Sequence, residues 1–533
     1  MEPGDSNDWW RFGVFYHVYV RSFGDSDGDG VGDLQGVIDH LDHLAWLGIE
    51  GLWLSPITRS PDRDWGYDVS DYRSVQPAFG DLGTLDRLIE RAGARGIRVV
   101  LDLVPNHTSD QHPWFVDARS SRTARHRDWY VWADPKEDGS PPNNWAAVFG
   151  GSAWELDEPI GQYFLHNFLP EQPDLNWWNE EVREAFDDII RFWFERGVAG
   201  FRIDVAHGIV KDRELRDNPP ATAEDHPLIR RVGQRPVYNR NRPEVHEIFR
   251  RWRAIAQAYR PGRILIGETW ARDIEDLMRY YGSGTDELDL AFNFAPVLEK
   301  LTAEHTPLIV EATERALPRG AWPVWTGSNH DVGRFPTRWC EDDEDRIRCV
   351  VMMLLTLRGT PFLYYGDEIG VTDTDVPPER VLDPVGKFHG PRMGRDPERT
   401  PMQWTADEGA GFSQPGVEPW LPYGDYRANN VEAQRNDPDS MLTLTRDLIR
   451  LRNALPELRT GDYETLPASD ERVWAWQRGD RVVVACNISD EPAEVTGVGP
   501  AAIRISTARA RDNERVAGEL HLDPWEAVIA VRD

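Results

Sequence analysis

Eight short runs of aliphatic, β-branched and aromatic residues recur between about residue 13 and residue 455. They are Val14–Val20, Gly51–Leu54, Ile97–Leu103, Gly200–Asp204, Ile264–Gly267, Leu288–Phe292, Pro323–Thr326 and Pro361–Tyr364. Near-continuous apolar character over so few residues is what a strand buried on both faces requires. Helical patterns separate most of the runs, for example LQGVIDHLDHLAWLG before the second and REAFDDIIRFWFERG before the fourth. The alternation predicts parallel strands joined by crossover helices, an α/β fold of the (β/α)8 TIM barrel type.

Three carboxylates closely follow such runs: Asp204 in GVAGFRIDVAHG, Glu268 in RILIGETW and Asp331 in WTGSNHD, spaced 64 and 63 residues apart. A barrel delivers side chains from the C-terminal ends of different strands into one pocket. Acids that converge there are suited to breaking glycosidic bonds.

At 533 residues the chain exceeds one ordinary domain. Residues 107–177, rich in Trp, Asn, Pro and charge, are far too many for a barrel loop and predict an inserted subdomain beside the mouth. Past SMLTLTRDLIRLRNAL, the runs VWAWQ, VVVACNI and AVIAVR alternate with turn residues and predict a C-terminal antiparallel β domain. The expected division is therefore a barrel over 1–106 and 178–456, an insertion over 107–177, and a β domain over 457–533.

Net charge is −31, from 60 basic and 91 acidic residues. That balance disfavours nucleic acid and anionic membranes and points to a neutral small molecule as partner. Three cysteines give neither a disulfide framework nor metal spacing, the first residues show no signal-peptide pattern, and no apolar stretch approaches a membrane span. The expectation is a reduced, cytoplasmic protein, monomer or homodimer.

The motifs DLVPNH (102–107), GFRIDVAHG (200–208), GETW (267–270) and SNHD (328–331) resemble the α-amylase superfamily of retaining glycoside hydrolases, family 13. GYDVSDY (66–72), QPDLNWWN (172–179) and RTPMQW (399–404) extend the likeness to its α-glucosidase and oligo-1,6-glucosidase branch. The resemblance implies Asp204 as nucleophile, Glu268 as general acid/base and Asp331 as the group stabilising the transition state. It also implies His107 and His330 as donors to the bound sugar, Tyr67 as a stacking ring, and Asp68 as acceptor for the outer hydroxyls. Arg395 resembles the arginine closing that subsite, with Arg399 as second candidate, and Phe168 and Phe164 are candidates for an aromatic wall. Arg202, two residues before Asp204 on the same strand face, is expected to lower the nucleophile's pKa.

A pocket fitted to one terminal glucose implies exo cleavage of short α-glucosides. Glucosyl transfer or isomerisation through the same intermediate is the alternative, and a non-catalytic carbohydrate-binding protein a remote one. Val205 goes with α-1,6 preference in the branch, whereas the AHG after it does not, so linkage stays open, leaning to short substrates with α-1,4 included. In DSDGDGVGD (25–33), Asp25, Asp27, Asp29, Asp33 and the Val31 carbonyl fall at alternate positions. Hard oxygens on glycine-permitted turns suit Ca²⁺, and the resemblance implies a structural calcium here, with Mg²⁺ or Na⁺ as substitutes.

Overall fold

The computed structural model describes residues 8–533 apart from 226, 272, 295, 296, 298, 468 and 469. Its main sheet has eight strands: β1 Phe15–Val18, β2 Gly51–Leu54, β3 Arg98–Leu103, β4 Gly200–Ile203, β5 Ile264–Gly267, β6 Leu290–Ala291, β7 Val324–Thr326 and β8 Thr360–Tyr364. The order is β6-β5-β4-β3-β2-β1-β8-β7 and every ladder is parallel, so chain order runs around the ring and β8 returns against β1. This is the (β/α)8 barrel.

Gly51–Leu54 and Ile264–Gly267 coincide with the apolar runs and Thr360–Tyr364 is one residue longer than expected, while the other strands are shorter. β1 stops at Val18 because the chain turns into the 3-10 helix Val20–Ser22, and β6 keeps only Leu290 and Ala291. β4 ends at Ile203, leaving Asp204 as the first residue beyond the ladder. The pattern LQGVIDHLDHLAWLG forms two helices, Leu34–Asp39 and Leu41–Leu47, broken at His40, whose Nδ1 bonds the Gly36 carbonyl at 2.8 Å.

Period-two alternation divides the core. Phe15, Trp53, Val100, Ile264, Ile266, Val324 and Phe362 fill the barrel interior, and Trp9 and Trp10 of the short helix Trp9–Phe12 join them. Residues one step out of phase, such as Tyr16, Leu52, Leu101, Phe201 and Leu265, pack against the surrounding helices.

Between β3 and β4 the chain makes an excursion containing a three-stranded sheet of Trp132–Ala133, Gln162–Leu165 and Trp154–Asp157. Its small core of Trp145, Ala153, Trp154 and Leu165 also takes Leu215 and Tyr238 from the segment after β4. Asn143 Nδ2 and Trp145 Nε1 donate to the carbonyls of Leu215 and Arg216 at 3.0 and 2.9 Å. The excursion and the β4 loop are thereby tied together above the barrel mouth.

From Tyr463 onward the chain is all β. Strands Tyr463–Leu466, Val473–Arg478, Val482–Asn487, Ala527–Arg532, Ala501–Ser506 and Arg515–Val516 form one antiparallel sheet in that spatial order. The buried Arg478 binds it to the barrel, donating to the carbonyls of Thr356 and Leu458 at 2.6 and 2.9 Å. Among the described residues no helix is long and apolar enough to cross a membrane.

β4 and β5 approach closely at Gly200, where a Cβ would lie 2.2 Å from Ile264 Cγ2 and 2.4 Å from its carbonyl oxygen. Gly200→Ala must push these site-bearing strands apart, and should cost about 1–3 kcal/mol in urea unfolding. An unchanged midpoint would show that the ladder tolerates the methyl.

Candidate active site

Inward positions change character along the strands. Phe15, Val100 and Ile266 lie in the apolar interior, and two residues later come His17, Asp102 and Glu268. The same step from Gly200 leads to Arg202 and then Asp204. Polar groups are thus gathered at the C-terminal ends of adjacent strands.

Arg202, 1% exposed, is the hub. Its Nη1 donates to Asp102 Oδ1 at 2.9 Å and to Asp204 Oδ1 at 2.7 Å, while Nη2 lies 3.0 Å from Glu268 Oε2. Glu268 accepts further hydrogen bonds from Val205 N at 2.8 Å and Trp270 Nε1 at 2.9 Å. Burial, then the charge of Glu268, lifts Asp204 well above the ordinary carboxylate range, and Arg202 offsets this incompletely. That corrects the expectation of a lowered Asp204, which counted the cation but not the neighbouring acids in a dry site.

Asp331 sits opposite in character. Its Oδ1 accepts from Arg395 Nη1 at 3.1 Å and Arg399 Nη2 at 3.0 Å, and His330 Nε2 lies 3.2 Å from Oδ2. Burial pushes Asp331 up, but Arg395, Arg399 and Arg202 together outweigh burial and hold it below the usual range. Tyr67 OH is hydrogen-bonded to His330 Nε2, its ring parallel to the imidazole at 5.5 Å, and also lies 3.3 Å from Asp102 Oδ2. His107 Nε2 is 3.1 Å from Gln172 Nε2, and its ring is 5.2 Å from that of Phe168. Burial takes His107 down to about 4 and His330 well below its ordinary value, so both rings are neutral at pH 7.

One residue is not where sequence reasoning put it. Asp68 is fully buried and accepts from Ser60 Oγ, Arg63 N and Asp64 N at 2.8, 3.0 and 3.0 Å, so its oxygens are consumed by its own turn. Burial lifts it to about 6. Asp64 takes the position at the pocket instead, accepting from Arg395 Nη2 at 2.7 Å and Gln172 Nε2 at 3.1 Å. Arg395 also binds Asp383 at 2.6 Å and lies over the Phe149 ring, which is 5.6 Å from Phe168. Arg399 is fully buried beneath, donating Nε to the His330 carbonyl at 2.7 Å. Phe164 packs on Phe115 and Trp132 inside the excursion, away from this cluster.

Sequence reasoning also missed Asp102, Gln172 and Trp270, all inside motifs it singled out. For Asp102 the signal was its even spacing from the apolar Val100 on one strand.

In the 25–33 loop, one ligand oxygen each from Asp25, Asp27 and Asp29 lies within 4.8 Å of the others. Asp33 stands apart: Oδ1 caps the helix at Gly36 N, 2.7 Å, and Oδ2 accepts from Ser26 N and Oγ at 2.9 and 2.8 Å. The Val31 amide donates to Asp29 at 2.8 Å.

The family profile "Alpha amylase, catalytic domain" matches residues 17–461. A "Probable alpha-glucosidase" of Rhizobium meliloti is 42% identical over 511 residues, covering 92% of this chain and 91% of the relative. An "Oligo-1,6-glucosidase" of Heyndrickxia coagulans is 36% identical, covering 91% and 92%. Among solved structures, the alpha-glucosyl transfer enzyme XgtA superposes with a TM-score of 0.92 at 39% identity, over 98% of this chain and 99% of that one.

The buried histidine carries a pH signature. An unfolded histidine titrates near 6.5 and His107 in the fold near 4, so between these values the unfolded chain binds more protons and stability falls as pH drops. His107→Gln loses packing at pH 7 but should regain up to about 1.4 kcal/mol per pH unit relative to wild type from pH 6.5 toward 4. Urea unfolding across that range checks it; a difference flat with pH would contradict the assignment.

Proposed function

Because the chain belongs to the α-amylase catalytic-domain family, we propose that it is an exo-acting retaining α-glucosidase that releases α-glucose from the non-reducing end of short α-glucosides. The observation that carries this is one guanidinium fork holding Asp204 and Glu268 together at the ends of neighbouring strands. Both oxygens lie against the same planar group, which suits the short carboxyl spacing of about 5–5.5 Å used in covalent glycoside cleavage.

The reaction requires a protonated Glu268 beside a charged Asp204, and Arg202 Nη1, 2.7 Å from Asp204 Oδ1, stabilises the charge on Asp204. Asp204 forms a bond to the anomeric carbon as the glycosidic bond breaks, and Glu268 passes its proton to the departing oxygen. Water then gives a proton to Glu268 and attacks the same carbon, releasing Asp204 and restoring the original anomeric configuration. Asp331, kept anionic by two arginines, stabilises the positive charge that develops on the sugar ring. Asp64, Arg395, Tyr67, His107 and Phe168 form the closed end of the pocket and take the outer hydroxyls and face of a terminal glucose. Asp64, rather than Asp68, has the acceptor role. Substrates are short, with α-1,4 links included. Three free, buried cysteines suit a reduced cytoplasmic setting. Likeness to a glucosyl transfer enzyme supports a second outcome, in which a sugar or alcohol replaces water at the same intermediate.

The test uses leaving groups of different basicity. Glu268→Gln should lose ~10²–10⁴-fold on maltose and much less on an activated aryl α-glucoside, which needs little protonation. Asp204→Asn should abolish both, and NMR of early product should show α-glucose. Equal losses on the two substrates would remove Glu268 from the acid role, and β-glucose as first product would remove the covalent route.

At the 25–33 loop, three carboxylates with glycines at φ 81° and 90° fit a hard cation, and we assign Ca²⁺ to Asp25, Asp27 and Asp29 with the Val31 carbonyl, while Asp33, expected as a further ligand, instead braces the loop through Gly36 and Ser26. Its contribution is to neutralise those charges and fix the loop, remote from the reacting atoms. Chelation by EDTA should lower the melting temperature and 1 mM Ca²⁺ restore it, by ~2.7 kcal/mol if that is a hundredfold over the dissociation constant. Calorimetry showing no uptake of Ca²⁺, Mg²⁺ or Na⁺ would defeat the assignment.

A further inference from the structure

The cations around the glycone end are spent: Arg202, Arg395 and Arg399 each bind carboxylates. Arg240 differs. It is half-buried and makes no hydrogen bond or ion pair within the described residues, feeling the charges of Glu268 and Asp174 and acting in turn on His207 and Lys211. Neither acid needs it. Glu268 already has three donors, and Asp174 accepts from Asn106, Asn167 and, at 2.7 Å, Lys211.

Its backbone is pinned on both sides. Asn239 Nδ2 donates to Asn167 Oδ1 at 3.0 Å, one residue before Phe168 in the excursion. Asn241 N donates to the His207 carbonyl at 2.6 Å, and its Nδ2 to the Trp270 carbonyl at 3.3 Å. His207 is three residues after the nucleophile and Trp270 two after the acid/base, so Arg240 is suspended between the excursion and the Glu268 side of the mouth. That side faces the leaving group. The field of Arg240 is felt there, where burial first and Arg240 second bring His207 down to about 4.

The geometry points to Arg240 as the residue that reads the leaving group, with its guanidinium fork fitted to a carboxylate on the aglycone. A single planar fork matches a carboxylate bidentately, whereas a phosphate dianion beside Glu268 and Asp174 would need a second free cation. The chain's net charge of −31 does not oppose this, because the cation is local and the pocket walls shield the surface charges. The inference rests on the α-glucosidase reading and extends it to the substrate class: α-glucosides of carboxylated alcohols or phenols, and the same compounds as glucosyl acceptors.

The experiment compares 4-carboxyphenyl α-glucoside with its methyl ester in wild type, Arg240→Met and Arg240→Lys. The acid-to-ester ratio of kcat/KM should fall about tenfold in Arg240→Met, carried by KM, with the ester little affected and Arg240→Lys intermediate. In an Asp204→Asn background, calorimetry should show the same tenfold preference in binding without turnover, and Arg240→Met should erase it. Wild type that cleaves both compounds with a ratio unchanged by Arg240→Met overturns the role of Arg240 and leaves the glucosidase reading standing. Discrimination in binding but no cleavage of either compound overturns that reading and keeps the carboxylate site.

Discussion

The site is organised around a buried arginine. Arg202 has Asp102, Asp204 and Glu268 within hydrogen-bonding or ion-pairing distance, and its ring-facing side lies 5.3 Å from the Trp53 centroid. A guanidinium in such a place is tolerable only because several carboxylates surround it, and those carboxylates are tolerable only because of it. More acid than base is present, so the surplus negative charge is relieved by retained protons: Asp102 is pushed up to about 7 by burial even with Arg202 beside it, and Asp204 higher than normal. The ion cluster is therefore poor as a stabilising device and effective as a chemical one.

A second arginine pair performs the complementary task. Asp331 needs to be charged throughout, and Arg395 and Arg399 grip one of its oxygens from two directions. Arg395 also reaches Asp64 and Asp383, so the same side chain that keeps Asp331 ionised shuts the end of the pocket. Electrostatics and shape are coupled there: the charge on Asp331 and the link between Asp64 and Asp383 come from a single guanidinium.

Much of this was legible in the sequence because barrel strands are simple objects. An apolar run gives a strand, its period gives an inward face, and the first polar residues past its end fall at the mouth; Asp204 and Glu268 follow from that rule, whereas Asp331 lies five residues past Thr326 and was legible through the SNHD motif. Loop residues obey no such period. Asp64 and Asp68 both flank the Gly66–Tyr67 turn, and which one reaches Arg395 depends on Asp68 capping the backbone amides of Arg63 and Asp64. Likewise nothing in GRDPERTPMQW separates Arg395 at the rim from Arg399 in the floor. The direction of the Asp204 shift was also beyond the sequence, since it depends on how many charges share one dry volume.

Val205 shows how the strands and the chemistry constrain each other. It is β-branched, yet it holds a left-handed backbone with φ 45°, a conformation costing of order 1–3 kcal/mol. That turn aims its amide at Glu268 Oε2, 2.8 Å away, so the residue after Asp204 orients Glu268. The next residues of the chain stabilise the turn: Gly208 N donates to the Val205 carbonyl at 2.8 Å, and a Cβ at Gly208 would lie 2.6 Å from Val205 Cγ1. The His207 carbonyl then receives Asn241 and fixes the segment bearing Arg240. Backbone strain at one residue thus sets the orientation of Glu268 and, through the His207 carbonyl, the placement of the segment bearing Arg240.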